Sequence, residues 1–282
     1  MENKVLVYLN GAYIDESQAQ VSVNNRAFRY GDGFFETIKL VQGKVVNPQL
    51  HTDRLLHTLQ RLQFDCPAYF TPKNIIDRIE ELVIYNQHQA LARIRLTVFR
   101  GDGSLHDIDN LRPNLLIQSW PLDTVYNQLN ENGWVIDVYK EGHKTCDAFA
   151  NLKSNNYLLY AMASIYARQN KFDDVLVLNE HGRIADATIA NTWIVEQGKL
   201  VTPTLSEAPV AGTMRRFIVE NAHRFGLQVT EDIITIERLK AADELWLTNA
   251  LYGIRWVKQL GDTTYGNKYA LQLHQQLLQP LL

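Results

Sequence analysis

The sequence predicts an α+β fold, and three observations in its first half indicate this class. One is a β-hairpin over residues 4–15, turned by the pair Asn10-Gly11, which strongly favours tight hairpin turns. Another is a pair of amphipathic helical segments at residues 48–64 and 71–87. The third is residues 90–101, ALARIRLTVFRG, where apolar and polar side chains alternate as in a strand with one buried face. Helices interspersed with antiparallel strands are typical of an α+β domain.

Each of these elements has its own signal. The first helix has leucines near helical spacing, and Arg54 lies in its first turns. The second helix has Thr71 as a cap and Pro72 at its first position. Its apolar stripe consists of Ile75, Ile76, Ile79, Leu82 and Val83. FFETIKLV is a strand between the turns Gly31-Asp32-Gly33 and Gln42-Gly43, and NLLIQSW is a further strand.

The second half begins after a polar stretch without a strong pattern, residues 121–132, which we predict to be a linker. It separates a small N-terminal α+β domain, residues 1–120, from a larger C-terminal domain, residues 133–282. WVIDVYK and DVLVL are predicted strands, and the run SNNYLLYAMASIYARQ after Lys153 is a predicted helix. Further on, TWIVEQGKLVTP is a predicted hairpin and APVAGTMRRFIVENAHRFG a helix that begins with Gly212-Thr213.

Composition excludes several classes of protein. The net charge is −3 with acids and bases interleaved, so we expect no nucleic-acid partner. The two cysteines, Cys66 and Cys146, have no metal-type spacing, so we expect no metal site and no disulfide framework. No segment resembles a signal peptide or is long enough to span a bilayer, which predicts a cytoplasmic protein without a membrane partner.

The stretch from Cys146 to Asn191 carries the strongest functional signal. Lys153 opens an apolar run, and beyond the next strand Asp186 lies among small residues. A lysine can bind an aldehyde cofactor covalently, an acid can sit opposite it, and small residues let a flat ring approach the backbone. The alternative is a solvated lysine and a surface acid, and these residues alone leave both open.

Several motifs occur in an order that resembles a known family: RYGDGFFETIKL, HTDRL, NLKSNNYL, IADATIAN, PVAGTMRR and ELWLTNAL. Together they resemble the fold-type IV pyridoxal-phosphate enzymes. This group includes branched-chain and D-amino-acid aminotransferases and 4-amino-4-deoxychorismate lyase. The resemblance implies a D-amino-acid-aminotransferase-like fold, with a small α/β N-terminal domain and a larger C-terminal domain of barrel-like β structure. It also implies a homodimer that acts on a small-molecule amino substrate.

The resemblance also implies a cofactor site. Lys153 would bind the aldehyde of pyridoxal 5'-phosphate and then move the substrate α-proton. Arg54 would bind the phosphate through its fork of donors. Asp186, one methylene shorter than the usual glutamate, would face the pyridine nitrogen. The whole predicted cofactor set is Lys153, Arg54, Asp186, Tyr157, Asn191, Gly212, Thr213, Asn249 and Ala250.

The assignments of Gly212-Thr213 and of Tyr157 rest on their positions at predicted helices. Gly212 and Thr213, at a helix start, would offer backbone N–H groups to the phosphate. Tyr157 lies one predicted helical turn after Lys153, although its spacing differs by one residue from the family's tyrosine, which bonds the ring hydroxyl.

Two activities and one non-catalytic function are compatible with this site. Ala250, in Thr248-Asn249-Ala250-Leu251, resembles the lyases, because the aminotransferases commonly place a hydroxyl residue there. Thr37 also matches the bacterial lyase and is a second catalytic candidate. Arg100, with Phe35, would bind substrate in either enzyme. We therefore rank 4-amino-4-deoxychorismate lyase first, an aminotransferase that uses 2-oxoglutarate second, and a non-catalytic cofactor-binding homologue third.

Overall fold

The computed structural model describes residues 4–281, which form two compact units. The first unit contains the described residues up to Thr124, together with the short segment Lys153–Asn156. The second unit contains Val125–Leu152 and the chain from Tyr157 onward. The change of unit after Thr124 falls within the stretch 121–132, and the domain limits drawn from the sequence stay a prediction.

The first unit is a six-stranded antiparallel sheet with helices, as expected for an α+β domain. The strand order is β2-β1-β6-β5-β3-β4. Its strands are β1 (Leu6–Leu9), β2 (Ala12–Asp15), β3 (Gly33–Val41), β4 (Lys44–Val45), β5 (Leu91–Arg100) and β6 (Pro113–Pro121). Its helices are α1 (Arg26–Tyr30), α2 (Pro48–Arg61) and α3 (Pro72–Tyr85).

The core of the first unit lies on one face of this sheet. The apolar positions of β5 are fully buried, which confirms the predicted alternation: Ala92, Ile94, Leu96 and Val98. Helix α3 packs its apolar stripe into the same cluster, and the Thr71 hydroxyl accepts the Asn74 N–H at its start. Because strand side chains alternate between faces, the even-numbered residues of β3 point into this core and the odd-numbered ones point away.

The second unit contains a closed barrel of six strands. The strands of the whole second unit are β7 (Trp134–Lys144), β8 (Asp174–Asn179), β9 (Ile184–Ala187), β10 (Asn191–Glu196), β11 (Lys199–Pro203), β12 (Val229–Asp232), β13 (Glu244–Asn249), β14 (Gly253–Leu260) and β15 (Thr263–Thr264). The order β10-β13-β14-β7-β8-β9 returns to β10 through one residue pair, Asp186 opposite Asn191. The barrel-like structure implied by the family resemblance is therefore present.

Helices and further strands cover this barrel. The helices are α4 (Leu158–Gln169), α5 (Thr213–Asn221), α6 (Ile236–Ala241) and α7 (Lys268–Leu273), and a π-helical turn follows α7. Helix α4 lies on β7 and β8, where Ala163 and Ala167 pack against Val175 and Val177. Fully buried side chains from five barrel strands form one core: Ile136, Leu176, Ile194, Leu245 and Val257. In the part of the chain that the structure describes, no helix is long and apolar enough to cross a bilayer.

The start of α4 differs from the prediction. The sequence pattern placed a helix directly after Lys153, but α4 begins at Leu158. The intervening segment is held alongside β3: the Phe35 N–H donates to the Lys153 carbonyl at 3.0 Å, and the Asn155 N–H donates to the Gly33 carbonyl at 2.9 Å. These strand-like bonds use backbone groups that a helix would need, so the helix starts later. Strand β14 and the short helix α1 were not predicted.

Candidate functional site

Lys153 lies on the face of β3 that points away from the core of the first unit. Its ammonium nitrogen is 4.7 Å from the centre of the Phe35 ring, and the Arg95 guanidinium lies 3.9 Å from the same ring centre. Phe35 is buried, and Lys153 is half-buried in the segment that pairs with β3. Two cations therefore lie at one aromatic side chain, and the lysine amine lies beside the Phe35 ring.

Arg54 lies on the other face of β3, where it pairs with Glu36. Its Nε donates to Glu36 Oε1 at 2.7 Å and its Nη2 donates to Oε2 at 2.5 Å, while the His51 ring nitrogen Nδ1 is 2.8 Å from Oε2. Burial alone would raise the pKa of Glu36, but the Arg54 charge and the His51 and Arg54 hydrogen bonds outweigh it and lower that pKa to about 2. The bidentate pair fixes the orientation of the guanidinium. The predicted phosphate role of Arg54 stays a prediction.

Thr37 and Arg100 lie on opposite faces of the sheet. Thr37 is two residues from Phe35 on β3 and is therefore on the same face, with Arg95 as its cross-strand neighbour. Arg100 is buried on the core side, where its Nη1 donates to Asp32 at 2.6 Å and its Nη2 donates to the Leu62 carbonyl. These contacts give Arg100 a structural role, and its substrate role stays a prediction.

Asp186 is the best-connected acid of the second unit. Its Oδ2 accepts hydrogen bonds from Lys144 Nζ at 3.2 Å, the Tyr160 hydroxyl at 2.9 Å and the Val210 N–H at 2.8 Å. Its Oδ1 accepts from Asn191 Nδ2 at 2.9 Å. The side chain is 2% exposed. All four neighbours donate, so the barrel holds this carboxylate as an acceptor.

Asn191 connects Asp186 to the start of α5. Its amide also donates to the Val210 carbonyl at 2.8 Å, and its Oδ1 occupies the place that a Cβ on Gly212 would need. Gly212 is the N-cap of α5, and among residues 4–281 no side chain caps this helix start. The first N–H groups of a helix bind anions when no side chain satisfies them. Thr213, the first residue of α5, is buried beside them.

Tyr157 and Asn249 both contact the turn between β9 and β10. The Tyr157 hydroxyl donates to the Thr188 carbonyl at 3.2 Å, and Asn249 Nδ2 donates to the Ile189 carbonyl at 3.3 Å. The reason given for Tyr157 was wrong, because residues 153–157 are not helical and so share no helix face. Ala250 lies in the turn after Asn249, half-buried. The predicted residues of the second unit thus gather around residues 186–191.

Sequence reasoning missed Lys144, Tyr160 and Arg95. Lys144 is 42 residues from Asp186 in the chain, and only the pairing of β7, β8 and β9 brings them together. Burial, and then the Asp186 charge, raise the pKa of Tyr160 well above its usual range, so this hydroxyl acts as a donor. Arg95 had a usable signal, because alternation places it on the same face as Thr37.

One group of residues could offer ligands to a metal. Within the described chain, Cys146, Glu180 and His181 bring three ligand atoms within 4.8 Å of one another. Burial, and then Glu180, raise the pKa of the Cys146 thiol, which opposes the thiolate that a metal requires. The group also has one ligand fewer than a structural zinc site.

The chain is similar to known enzymes over most of its length. A family profile described as amino-transferase class IV matches residues 33–260. A protein of Methanocaldococcus jannaschii, provisionally assigned as a branched-chain-amino-acid aminotransferase, is 30% identical over 275 residues, covering 96% of this chain and 93% of its own. The aminodeoxychorismate lyase of Bacillus subtilis is 29% identical over 271 residues, covering 93% and 89%. The branched-chain aminotransferase of Thermoproteus uzoniensis, solved with norvaline, has the same fold, with a TM-score of 0.89 at 24% identity over 99% of this chain and 95% of that one.

Proposed function

Because this chain belongs to the class IV aminotransferase family, whose enzymes use pyridoxal 5'-phosphate, we propose that it is a 4-amino-4-deoxychorismate lyase. The reaction would remove pyruvate from aminodeoxychorismate and leave 4-aminobenzoate. Relatives named as lyases and as aminotransferases match this chain almost equally well, so their names do not decide between the two. Support for the lyase comes from the residues around Lys153.

Each predicted donor, taken by itself, has the chemistry that a phosphorylated pyridine aldehyde requires. The first unit offers an amine at Lys153 and a fixed guanidinium at Arg54. The second unit offers a buried carboxylate at Asp186 and, at Gly212, a helix start without a side-chain cap, where a Cβ would meet Asn191. When bound, pyridoxal phosphate supplies an aldehyde for the lysine and a ring that accepts electrons.

Each residue would have one task. Lys153 would hold the aldehyde and later carry the substrate proton. The positive charge of Arg95 at the same ring would favour the neutral amine that must first attack the aldehyde and accept the proton. Arg54 and the start of α5 would hold the phosphate. Asp186 would keep the ring nitrogen in place.

The observation that carries the lyase proposal is the position of Thr37. Its hydroxyl lies two residues along β3 from Phe35, on the face where the Lys153 amine lies. An elimination needs a proton removed and a second proton delivered to the leaving group, and a hydroxyl on the same face as the amine could relay it. An aminotransferase can perform its proton shift with the lysine alone.

The proposed step balances without a second substrate. Lys153 takes the proton from the carbon of the substrate ring that carries the amino group. The bond from the adjacent carbon of that ring to the ether oxygen of the enolpyruvyl group then breaks. The electron pair leaves with enolpyruvate, which takes up a proton and becomes pyruvate. The ring that remains is aromatic, which makes the loss effectively irreversible.

Two assays test the proposal. Purified protein with pyridoxal phosphate should convert aminodeoxychorismate to 4-aminobenzoate and pyruvate without 2-oxoglutarate. Thr37→Val should slow this reaction about tenfold or more, and Thr37→Ser should restore most of it. Turnover only with amino acids and 2-oxoglutarate would overturn the lyase. Borohydride reduction and peptide mapping should place the cofactor on Lys153, and a label elsewhere would overturn that assignment.

The second candidate is an aminotransferase for branched-chain or D-amino acids. It is favoured by the Methanocaldococcus jannaschii relative, which is 30% identical to this chain. A panel of these amino acids with 2-oxoglutarate tests it directly. Glutamate formation faster than 4-aminobenzoate formation would place this activity first.

We also propose that the enzyme is a homodimer. Apolar side chains on α1 and on the loop after β5 are largely exposed: Phe28 is 78%, Leu105 61% and Ile108 78% exposed. Arg26 ties the two segments together by donating to the Asp107 carbonyl at 2.6 Å. Light scattering should give twice the chain mass, and Ile108→Lys should lower it.

A further inference from the structure

Asp186 has a cationic partner that the proposed cofactor role does not require. Lys144 Nζ lies 3.2 Å from Asp186 Oδ2, and the two side chains are 9% and 2% exposed. The same ammonium donates to the Ala150 carbonyl at 3.2 Å and lies 5.3 Å from the centre of the Tyr160 ring. Buried lysines are rare unless they are paired, so this ion pair is a built feature of the barrel.

The other partners of Asp186 carry no charge. Tyr160 donates a hydroxyl, Asn191 an amide and Val210 a backbone N–H. Three donors converge on Oδ2, whereas Oδ1 accepts from Asn191 alone among the described residues. A carboxylate has about four acceptor positions in all, so Oδ1 is the oxygen with capacity for a further donor.

Irregular pairing of β7 with β8 and of β8 with β9 positions the Lys144 ammonium and the Asp186 carboxylate. The register between β7 and β8 shifts between Tyr139 and His143, and Lys144 follows directly. The register between β8 and β9 shifts beside Asp186, between Val177 and Leu178. Register irregularities, of which β-bulges are the simplest, redirect side chains and are common next to active sites. Gly142 belongs to the first irregular segment, and a Cβ there would lie 2.6 Å from Leu159.

An ammonium on this carboxylate has a chemical consequence. In these enzymes the carboxylate at the position of Asp186 favours protonation of the cofactor's pyridine nitrogen, because the negative carboxylate stabilises the positive pyridinium. A fixed positive charge on the same carboxylate offsets part of that stabilisation. We propose that Lys144 is a positioning residue that fixes Asp186 and weakens its hold on a protonated ring nitrogen, which tunes the site for elimination. A weaker electron sink suffices for a reaction that creates an aromatic ring.

This inference rests on the proposed function, and it is tested on the cofactor-loaded protein without turnover. The protein is loaded with pyridoxal phosphate carrying nitrogen-15 in the ring, whose chemical shift reports protonation of that nitrogen. Lys144→Gln removes the charge and keeps a donor, and Lys144→Met removes both. In each variant the ratio of protonated to unprotonated nitrogen should rise about tenfold or more near neutral pH. Lys144→Arg should match the wild type within about twofold, as should Lys140→Met, an exposed lysine of the same strand.

A carbocyclic cofactor analogue, with C–H in place of the ring nitrogen, separates charge from structure. The Lys144→Gln variant should bind pyridoxal phosphate more tightly than the wild type does, and both should bind the analogue equally. An unchanged nitrogen-15 shift, or an equal difference with both cofactors, would show that Lys144 is only structural. If Lys144→Met does not fold, Lys144→Gln gives the result. A wild type that binds no cofactor would overturn the proposed function and this inference together, whereas an unchanged shift would overturn only the inference.

Discussion

Replacing Glu36 by glutamine should destabilise the first unit strongly. The carboxylate is 1% exposed and sits between the Arg54 guanidinium and the His51 ring. Lowering its pKa from 4.5 to about 2 corresponds to about 3 kcal/mol of unfolding free energy at neutral pH. Glutamine also leaves the buried Arg54 charge without its counter-charge, which adds to the loss.

The contribution of Glu36 to the free energy of unfolding should be lost in acid and not in base. A depressed folded-state pKa stabilises the protein above the unfolded value of 4.5, and this contribution is lost as the pH falls towards about 2. The difference between wild type and Glu36→Gln should therefore be largest at neutral pH and shrink in acid.

Urea unfolding of both proteins across this pH range measures the difference. Glu80→Gln is the matched control, because Glu80 pairs with the exposed Lys44 and should change stability by less than about 1 kcal/mol. The reasoning is refuted if Glu36→Gln is as stable as the wild type at neutral pH, or if the difference does not diminish in acid.

Four further outcomes follow from the structure. Burial raises the pKa of Asp174 to about 6, so its contribution to stability is greatest below 3.8 and is lost as the pH rises to 6. Asp174→Asn should thus be about 3 kcal/mol more stable than the wild type above pH 6 in urea unfolding, and equal behaviour at all pH values would contradict this. Gly212→Ala should reduce cofactor retention, followed by absorbance after dialysis, because its Cβ meets Asn191; full retention would contradict this. Arg54→Ala should also reduce cofactor retention, and unchanged retention would place the phosphate elsewhere. Lys153→Ala should abolish turnover with an unchanged circular dichroism spectrum, and near-normal turnover would refute its role.

Local patterns predicted the first unit well. The Asn10-Gly11 turn and the alternation of β5 are set by residues near one another in the chain, so a period of two fixes both strand and face. Thr71 likewise caps α3 as expected. The late start of α4 could not be seen in this way, because residues 153–155 bond to β3, which lies more than a hundred residues earlier.

The candidate site shows the same limit. Lys153 and Asp186 stood out because the residues around each resemble a family motif. Lys144 has no such motif, and its contact with Asp186 depends on two register shifts that no local period encodes. The Glu36–Arg54 pair joins a strand to a helix across the core, and sequence spacing does not show that they meet.

The contacts of Asp186 with Lys144 and Asn191 matter because aspartate is shorter than the glutamate usual in the family. Aspartate reaches about 1.5 Å less far than glutamate, so its backbone and its partners must hold it more closely. Asp186 stands opposite Asn191 in the one residue pair that joins β9 to β10, and its side chain bonds to that same asparagine. The strand pairing that closes the barrel therefore also fixes the acid, and Lys144 balances its charge from the neighbouring part of the barrel. Glutamate at this position would move the carboxylate away from all four donors, so Asp186→Glu should destabilise the protein in spite of restoring the residue usual in the family.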